Sequence, residues 1–383
     1  MKILQLHSAY TSSKISGENS TVDTLSEIFS RFATRSLYKL STDKLHNNLP
    51  AKMTATKKYL LLDRHLIDIS SSFDFVILHN PIPLISAETL RSISKSSHVI
   101  RLWHNYRNSC ISGNHFRNGH QCFDCMTKIS GRFTGVFHKC YRESAVQSSI
   151  VSFAESRLRN LYHEKKIWHI GVSEFMCTHI RSLGIENSHI RHIPNSVTNM
   201  SFSESPRGDD VLMMGRIEPE KGFLQVIEAW NSIPMHVKGG RTLHIVGEGS
   251  MLDTVKLSSR KKDINLHGIL TAAQISDLGA YCGTGIACSL WDEPFGKIAA
   301  EYQAMGLKTL VTPRGGLIEI AKKSPGGSVT RDINVESITN SLIEVLNNNL
   351  ISRRQIFDSY ESNYSVDSVT DKWKQFFEEI LYG

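Results

Sequence analysis

The densest chemistry in the chain lies in Trp291-Asp292-Glu293-Pro294-Phe295-Gly296-Lys297-Ile298-Ala299-Ala300-Glu301. Proline directly after Glu293 reads as the first position of a helix, where its missing N–H costs nothing and its fixed φ is already helical. That reading sets Glu293 at the helix mouth and Glu301 two turns inside, about 12 Å away along the axis. Two carboxylates at that separation match the span from the sugar ring of a nucleotide sugar to its ribose. The N–H groups at the helix start suit the diphosphate between them. The same residues also fit an ordinary capped helix with a solvent-facing glutamate.

Three further segments come directly after strands. In Gly215-Arg216-Ile217-Glu218-Pro219-Glu220-Lys221-Gly222, Arg216 and Lys221 could converge on a diphosphate and neutralise the charge that builds on a leaving nucleotide; a surface ion pair is the plain alternative. Val246-Gly247-Glu248-Gly249 is a glycine turn, and Pro313-Arg314-Gly315-Gly316-Leu317-Ile318-Glu319 carries paired glycines that let a backbone approach a ligand closely. No Asp-X-Asp occurs in the chain, so the Asp-X-Asp site that places a divalent ion on a diphosphate is missing, in keeping with the Arg–Lys reading. In the first half, two strand-like runs end in histidine: Phe73 to Leu78 before His79-Asn80, and Val99 to Trp103 before His104-Asn105. His79 reads as a satisfied structural residue and His104 as a hydrogen-bonding group near a reacting centre.

The elements that must position these residues alternate. Strand-like runs at Met1–His7, 73–78, 99–103, 169–173 and 190–195 share the first half with helical stripes at 21–33 and 144–166. A polar turn, Ser16 to Ser20, precedes the first of these stripes. After a polar stretch at 200–209 the alternation restarts, with strands at 211–214, 242–246, 264–266, 285–289 and 309–311 and helices at 223–233, 251–259, 272–281 and 294–305. This pattern predicts two Rossmann-like domains with parallel sheets facing a cleft, with ligands at the carboxyl ends of the strands. The chain has 383 residues, 40% hydrophobic and 21% charged, enough for two packed cores and unlike a disordered chain. No run approaches the roughly 18 apolar residues of a membrane-spanning helix. The start, MKILQLHSAY, reads as a strand rather than a secretory leader, so the expected location is cytoplasmic. A net charge of +7 suits contact with phosphates or an anionic membrane surface, and equally an ordinary basic enzyme.

Residues 105–145 break the alternation. Cys110, Cys122, Cys125 and Cys140 fall here, the middle pair as Cys-x-x-Cys, with His115, His120 and His138 nearby. These residues fit a tetrahedral structural zinc that staples a loop without its own core, or free thiols, or disulfides. Four thiolates would leave no open coordination position, so a catalytic metal is not expected. Lys128, Arg132, Lys139, Arg142, Arg157, Arg159, Lys165 and Lys166 lie among apolar residues in 128–166. They read either as a solvated face or as a peripheral contact with an anionic membrane, at the inner face of the cell membrane. No groove-reading or base-stacking motif accompanies them, so nucleic acid is not an expected partner.

Taken in order, the Arg–Lys pair, the glycine turn, the glutamate pair and the glycine pair resemble the donor half of glycosyltransferase family 4, the retaining family with the GT-B fold. His-Asn-Tyr-Arg at 104–107, the Cys-x-x-Cys and His138-Lys139-Cys140-Tyr141 are similar to a subset of that family with a Cys-rich insertion that builds bacterial surface polysaccharides. The resemblance implies a nucleoside-diphosphate sugar donor, a glycan or lipid-linked acceptor and metal-independent transfer without a cofactor. The departing phosphate itself would help deprotonate the acceptor on the same face. Glu301 would hold the ribose, Glu293 with the backbone of Phe295 and Gly296 the donor sugar, and Arg216 and Lys221 the diphosphate. Gly247 and Gly17, after Ser16, would line the donor site, and His104 would face the sugar. It also implies an acceptor-binding domain at 1–199, a donor-binding domain at 205–362, and a last helix at 363–383 that returns to the first domain. Two rivals remain: a nucleotide-sugar epimerase of the same fold, and a non-catalytic sugar-nucleotide-binding protein.

Overall fold

A computed structural model describes residues 1–9, 17–41, 62–82, 85–128, 130–164, 166–198, 200–204, 207–259, 261–348 and 350–382. The chain divides into two compact units. One comprises residues 1–115, 122–194 and 370–383; the other comprises 116–121 and 195–369. Each holds a six-stranded sheet. Among the described residues no helix is long and apolar enough to cross a membrane.

The first sheet is built from β1 (Lys2–Ala9), β2 (Thr34–Ser41), β3 (Phe75–Asn80), β4 (His98–Trp103), β7 (Ile167–Gly171) and β8 (Ile190–His192). It runs in the order β2-β1-β3-β4-β7-β8 with every pair parallel. A two-stranded ribbon, β5 (Phe116–Arg117) and β6 (His120–Gln121), interrupts the succession. The helix after β1 spans Gly17–Ser30, so Gly17 to Ser20, expected as a turn, form its first turn; Ser16 lies outside the described residues. The strand expected at 169–173 sits two residues earlier, because Ser173 accepts from Met176 N–H as the cap of the next helix, Glu174–Ser182. The last helix, Val366–Tyr382, carries an aromatic stripe: Trp373 packs edge-on to Phe29 at 5.1 Å, Phe377 lies 4.6 Å from Phe75, and Phe376 meets Trp168 at 5.5 Å between ring centroids. Burying three large rings in the first unit's core is ample reason for the chain's end to fold there.

The second sheet contains β9 (Asp210–Met214), β10 (Leu243–Val246), β11 (Ile264–Leu266), β12 (Cys282–Ala287), β13 (Lys308–Val311) and β14 (Gly327–Val329), in the order β11-β10-β9-β12-β13-β14, again all parallel. Successive residues of β9 face opposite cores. Val211 and Met213 pack with Phe223, Trp230 and Leu342, whereas Leu212 and Met214 pack with Tyr302 and Met305. Strands buried on both faces read as continuous apolar runs, which is why short windows such as Val211 to Met214 are recognisable. The long segment of the second unit begins at Asn195, before the polar stretch at 200–209. The reason is local: Val197 N–H donates to Tyr364 O at 3.0 Å and Tyr360 Oη donates to Val197 O at 2.8 Å.

Candidate functional site

In the second sheet the strand order reverses between β9 and β12. Connections leave β9 toward β10 on one side, and β12 opens the other half. Open parallel sheets bind ligands at the carboxyl ends of the strands at such a point, where the two loops part. The loop after β9 carries Gly215 to Gly222, and the loop after β12 carries Cys288 to Gly296.

The two loops meet. Lys221, on a short 3-10 turn at Pro219–Lys221, donates from Nζ to Glu293 Oε1. The same oxygen accepts from Ser289 Oγ at 3.1 Å and from Trp291 Nε1 at 3.0 Å, and Lys221 Nζ lies 5.5 Å from the Trp291 ring centre. Oε1 is therefore fully engaged, and Oε2 carries none of these bonds. Leu290 N–H closes the junction on Glu220 O at 2.8 Å. Arg216 turns to Glu220 Oε1 at 3.4 Å, so in this state Arg216 and Lys221 do not share a partner. Gln121, at the end of the ribbon, donates to Asp292 Oδ2 at 2.6 Å and accepts from Arg314 Nη1 at 2.9 Å, next to the Glu293 loop.

Glycines allow the loops to approach this closely. A Cβ at Gly315, whose φ is +56°, would lie 2.3 Å from Glu293 O. Gly316 N–H donates to that same carbonyl at 2.8 Å. The helix after Glu293 starts at Lys297, three residues later than the proline suggested. Gly296, at φ 98°, takes the N-cap position without a side-chain cap. Glu293 therefore stands in the loop rather than at a helix mouth, and Glu301 lies about one turn inside the helix Lys297–Ala304. Lys297 Nζ is 3.7 Å from Glu301 Oε1, yet burial still raises the Glu301 carboxyl above the usual carboxylate range.

Tyr302, next to Glu301, belongs to no motif in the sequence. Its hydroxyl accepts from Met214 N–H at 2.9 Å and donates to Ile286 O at 3.1 Å. These are backbone groups of β9 and β12 near the place where the strands stop pairing, so one side chain satisfies both and pins the Glu301 helix beneath the crevice. Its ring lies against Gly285, where a Cβ would meet Cγ at 2.2 Å. Tyr302→Phe is expected to leave two buried backbone groups unpaired and to cost about 2 kcal/mol. Urea unfolding monitored by tryptophan fluorescence would read it, and a midpoint equal to wild type would dismiss the tie.

Residues 200–362 match the family described as glycosyl transferases, group 1. The match covers Arg216, Lys221, Gly247, Glu293, Phe295, Gly296 and Glu301, and leaves Gly17, His104 and the four clustered cysteines outside. No curated protein matches the chain. Among solved structures, HepE of Anabaena in complex with UDP-glucose is similar over 99% of this chain and 100% of its own, at TM-score 0.65 and 14% identity. A glycosyltransferase of Rickettsia africae covers 100% and 99%, at TM-score 0.67 and 16% identity. Sucrose-phosphate synthase of Thermosynechococcus elongatus covers 99% of each, at TM-score 0.68 and 11% identity. The fold is thus the GT-B fold, and the group 1 match falls on the unit whose switch point has just been described.

Outside the group 1 segment, the first sheet reverses between β1 and β3. The ends of β1, β3 and β4 bring His7, His79 and His104 together, with a register irregularity between Leu6 and His7. Gln5 donates from its amide to Ser26 Oγ at 2.7 Å, so its oxygen is the acceptor for His79 Nε2 at 2.8 Å. His79 Nδ1 is then an acceptor, and His104 Nε2 donates to it at 3.0 Å. This chain of donors fixes the His104 tautomer and leaves its Nδ1 lone pair available. Burial, with Arg101 and His7 adding to it, lowers the His104 pKa to about 3. His104 is accordingly a neutral hydrogen-bonding group and too weak a base to take a proton at neutral pH. His79, read from sequence as structural, is the residue that orients it. The Gly17 helix contributes Asn19, whose Oδ1 meets His7 Nε2 at 2.8 Å, and Glu18, whose Oε2 accepts from Asn105 Nδ2 at 3.3 Å. Both Asn80 side-chain polar atoms are buried without a hydrogen-bond partner, and His7 Nδ1 and Glu18 Oε1 face each other at 3.8 Å without a hydrogen bond of their own, polar atoms that a hydroxyl-rich ligand could engage.

Among the described residues no three His, Cys, Asp or Glu side chains form a ligand set, and the seven cysteines are free thiols. Cys110 Sγ contacts Ser112 Oγ at 3.1 Å, and burial pushes the Cys125 thiol up, with Cys110 and Cys122 adding to the shift. His115 is engaged by Ser109 Oγ at 2.8 Å and Cys122 O at 3.1 Å, and His120 by Asn118 O at 3.0 Å. His138 stands exposed, its ring edge-on to Phe137 at 5.3 Å.

Five histidines of this unit, His79, His115 and His169 buried and His104 and His179 half-buried, share one consequence. Burial lowers His104 and His169 to about 3 and His115 and His179 to about 4, and holds His79 well below 6.5. Each pKa is depressed in the folded state, so unfolding takes up protons below pH 6.5. Stability is complete above that value and falls as the pH drops toward 4. Calorimetry between pH 7.5 and 5 is expected to show a transition moving steeply downward; melting that does not change over this range would contradict the neutral assignment.

Proposed function

We propose that the chain is a retaining glycosyltransferase. It moves a hexose-type sugar from a nucleoside diphosphate to a glycan or lipid-linked acceptor in polysaccharide synthesis, without a catalytic metal. The observation that carries this reading is the junction at the β9/β12 switch point, where Lys221 and Glu293 meet inside a segment matching group 1 glycosyl transferases. Structures of the same fold include HepE with UDP-glucose and WaaG, involved in lipopolysaccharide biosynthesis, which supports a nucleotide-sugar donor.

In this reading Lys221, and Arg216 after leaving Glu220, supply positive charge to the diphosphate as the sugar bond breaks. Glu293 Oε2 accepts hydroxyls of the donor sugar, Glu301 accepts those of the ribose, and the start of the helix Lys297–Ala304 faces the phosphates. His104 accepts a sugar hydroxyl through Nδ1. The leaving phosphate oxygen takes the acceptor proton on the face from which it departs.

The test combines binding and chemistry. A ligand that binds only the native state raises the melting temperature, so UDP, UDP-glucose and other nucleoside diphosphates are compared by thermal shift. The shift is expected to vanish in Glu301→Ala. Arg216→Ala is expected to lower turnover by about 10²-fold while changing nucleotide affinity far less. Mass spectrometry of donor incubated alone separates the rivals: an isomer indicates an epimerase, and slow hydrolysis a transferase. Unchanged affinity in Glu301→Ala would refute the donor-site assignment.

A further inference from the structure

The segment between β6 and β7 exposes large apolar side chains on two helices that pack together, Arg132–Phe137 and Ala145–Leu161. Phe133 is 79% exposed, Phe137 81%, Val146 70% and Phe153 51%. Aromatic side chains left this bare are costly in water unless something covers them. Phe133 and Phe137 are four residues apart and so share one face of their helix. Gly135 is on the opposite face, buried, and a Cβ there would lie 2.8 Å from Ile111 Cδ1 and 3.0 Å from Cys125 Sγ. The helix is therefore seated on the unit through its glycine and holds the phenylalanine pair outward.

The turn after this helix sets the charge of the face. Lys139, Arg142 and Glu143 adopt left-handed backbone conformations, with φ of 53°, 52° and 54°, unusual for residues with a side chain. The turn is held by Cys140 N–H on Gly135 O at 2.9 Å and by Tyr141 N–H on Ser148 Oγ at 3.0 Å. It keeps Lys139 and Arg142 exposed just after Phe137 in the chain, with the Arg142 guanidinium 5.4 Å from the Tyr141 ring centre. Residues 122–166 hold eight Lys and Arg against four Asp and Glu. Of those acids, Glu155 is fully buried, Asp124 pairs with Lys128 at 2.9 Å and Glu164 with Arg91 at 3.2 Å, while Glu143 is exposed next to Arg142; of the cations, Arg157 pairs with Glu88.

We propose that this face docks the protein on an anionic lipid surface, with Phe133 and Phe137 entering the acyl boundary and Lys139 and Arg142 remaining at the headgroups. An apolar face alone would suit a protein partner or a second copy equally well. The basic rim beside it favours a negatively charged bilayer, which takes aromatic and cationic side chains at adjacent depths. The inference does not depend on the donor-site reading.

The experiment is co-sedimentation of the full chain with vesicles of equal parts phosphatidylcholine and phosphatidylglycerol, against phosphatidylcholine alone. Binding is expected to the anionic vesicles only, and to weaken as salt rises. The double variant F133S/F137S is expected to lose at least tenfold in affinity, and K139A/R142A roughly tenfold or more. Both should keep the wild-type melting temperature and the wild-type response to nucleotides. Equal binding to neutral vesicles, or F133S/F137S binding like wild type, would overturn the proposal. So would a wild-type dimer that ignores vesicles and becomes monomeric in F133S/F137S, which would make the face a self-association surface.

Discussion

Glu293→Ala is expected to lower turnover by about 10²- to 10³-fold, the range for removing a group that stabilises developing charge, while nucleotide affinity changes little. The carboxylate divides its work. Oε1 is held by Lys221 Nζ, Ser289 Oγ and Trp291 Nε1, and Oε2 carries none of these bonds, so in the function proposed above it is the atom that would take a hydroxyl of the donor sugar. The backbone at this position is anchored independently by Gly316 N–H on the Glu293 carbonyl, so truncating the side chain should leave the loop path intact. Alanine would strand the Lys221 ammonium, whose side chain is only 15% exposed, and a stability loss of about 2 kcal/mol should accompany the kinetic one. Glu293→Gln separates the two effects. It keeps an acceptor for Trp291 and Ser289 but removes the negative charge beside Lys221, so turnover should fall by less than in the alanine variant. The measurement is steady-state turnover at saturating donor beside calorimetric nucleotide affinity. Near wild-type turnover in Glu293→Ala would show that the pair is only a strut between two loops.

The loops of the second sheet's switch point are legible because they are local in sequence. Gly215-Arg216, Lys221, Glu293 and Glu301 each succeed or sit in an element that short apolar runs reveal, and parallel topology then dictates which loops meet. The helix start departs from expectation because proline after Glu293 is also compatible with an extended loop. Gly296 in a left-handed conformation, packed against Leu317, postpones the helix to Lys297. Tyr302 is illegible for a different reason. Its value lies in two backbone groups that become orphaned only where β9 and β12 diverge, and no spacing rule reports that. In the first half a usable signal exists only when the strands are taken together. Three of them carry a histidine at or just past the carboxyl end with a small polar residue next, His7-Ser8, His79-Asn80 and His104-Asn105, and parallel strands place such ends side by side. Glu18 and Asn19 are hidden because the residues expected as a turn form a helix, and that turn of helix carries them to His7 and Asn105. Nor can spacing of the cysteines decide between metal and thiol, since that depends on whether side chains converge.

The largest expected loss of stability comes from adding one methyl group. Gly247→Ala is expected to cost about 3 kcal/mol or more, with the melting temperature falling by roughly 6–12 °C for a unit of this size. Gly247 comes after β10 with φ +141°, and its Cβ would lie 1.9 Å from the carbonyl oxygen of Gly215, a backbone atom that cannot swing aside. Two costs combine: about 1–3 kcal/mol for a side chain in a backbone region reserved for glycine, and a further 1–3 kcal/mol or so for overpacking. The contact exists because Gly215 N–H donates to Val246 O at 3.0 Å and Gly247 N–H to Gly268 O at 2.8 Å, which stitches the ends of β9, β10 and β11 at the floor of the crevice. Parting Gly215 from Gly247 would displace Arg216, so nucleotide-dependent thermal shift should shrink along with stability. Gly268→Ala is the control. Its φ is also positive, at +67°, but nothing lies within 4 Å of the added Cβ, so only the conformational cost of about 1–2 kcal/mol applies. Scanning calorimetry of the two variants decides the matter. If they lose the same amount, steric approach between the β9 and β10 loops contributes nothing, and the close packing that brings Arg216 to the switch point is not what Gly247 is for.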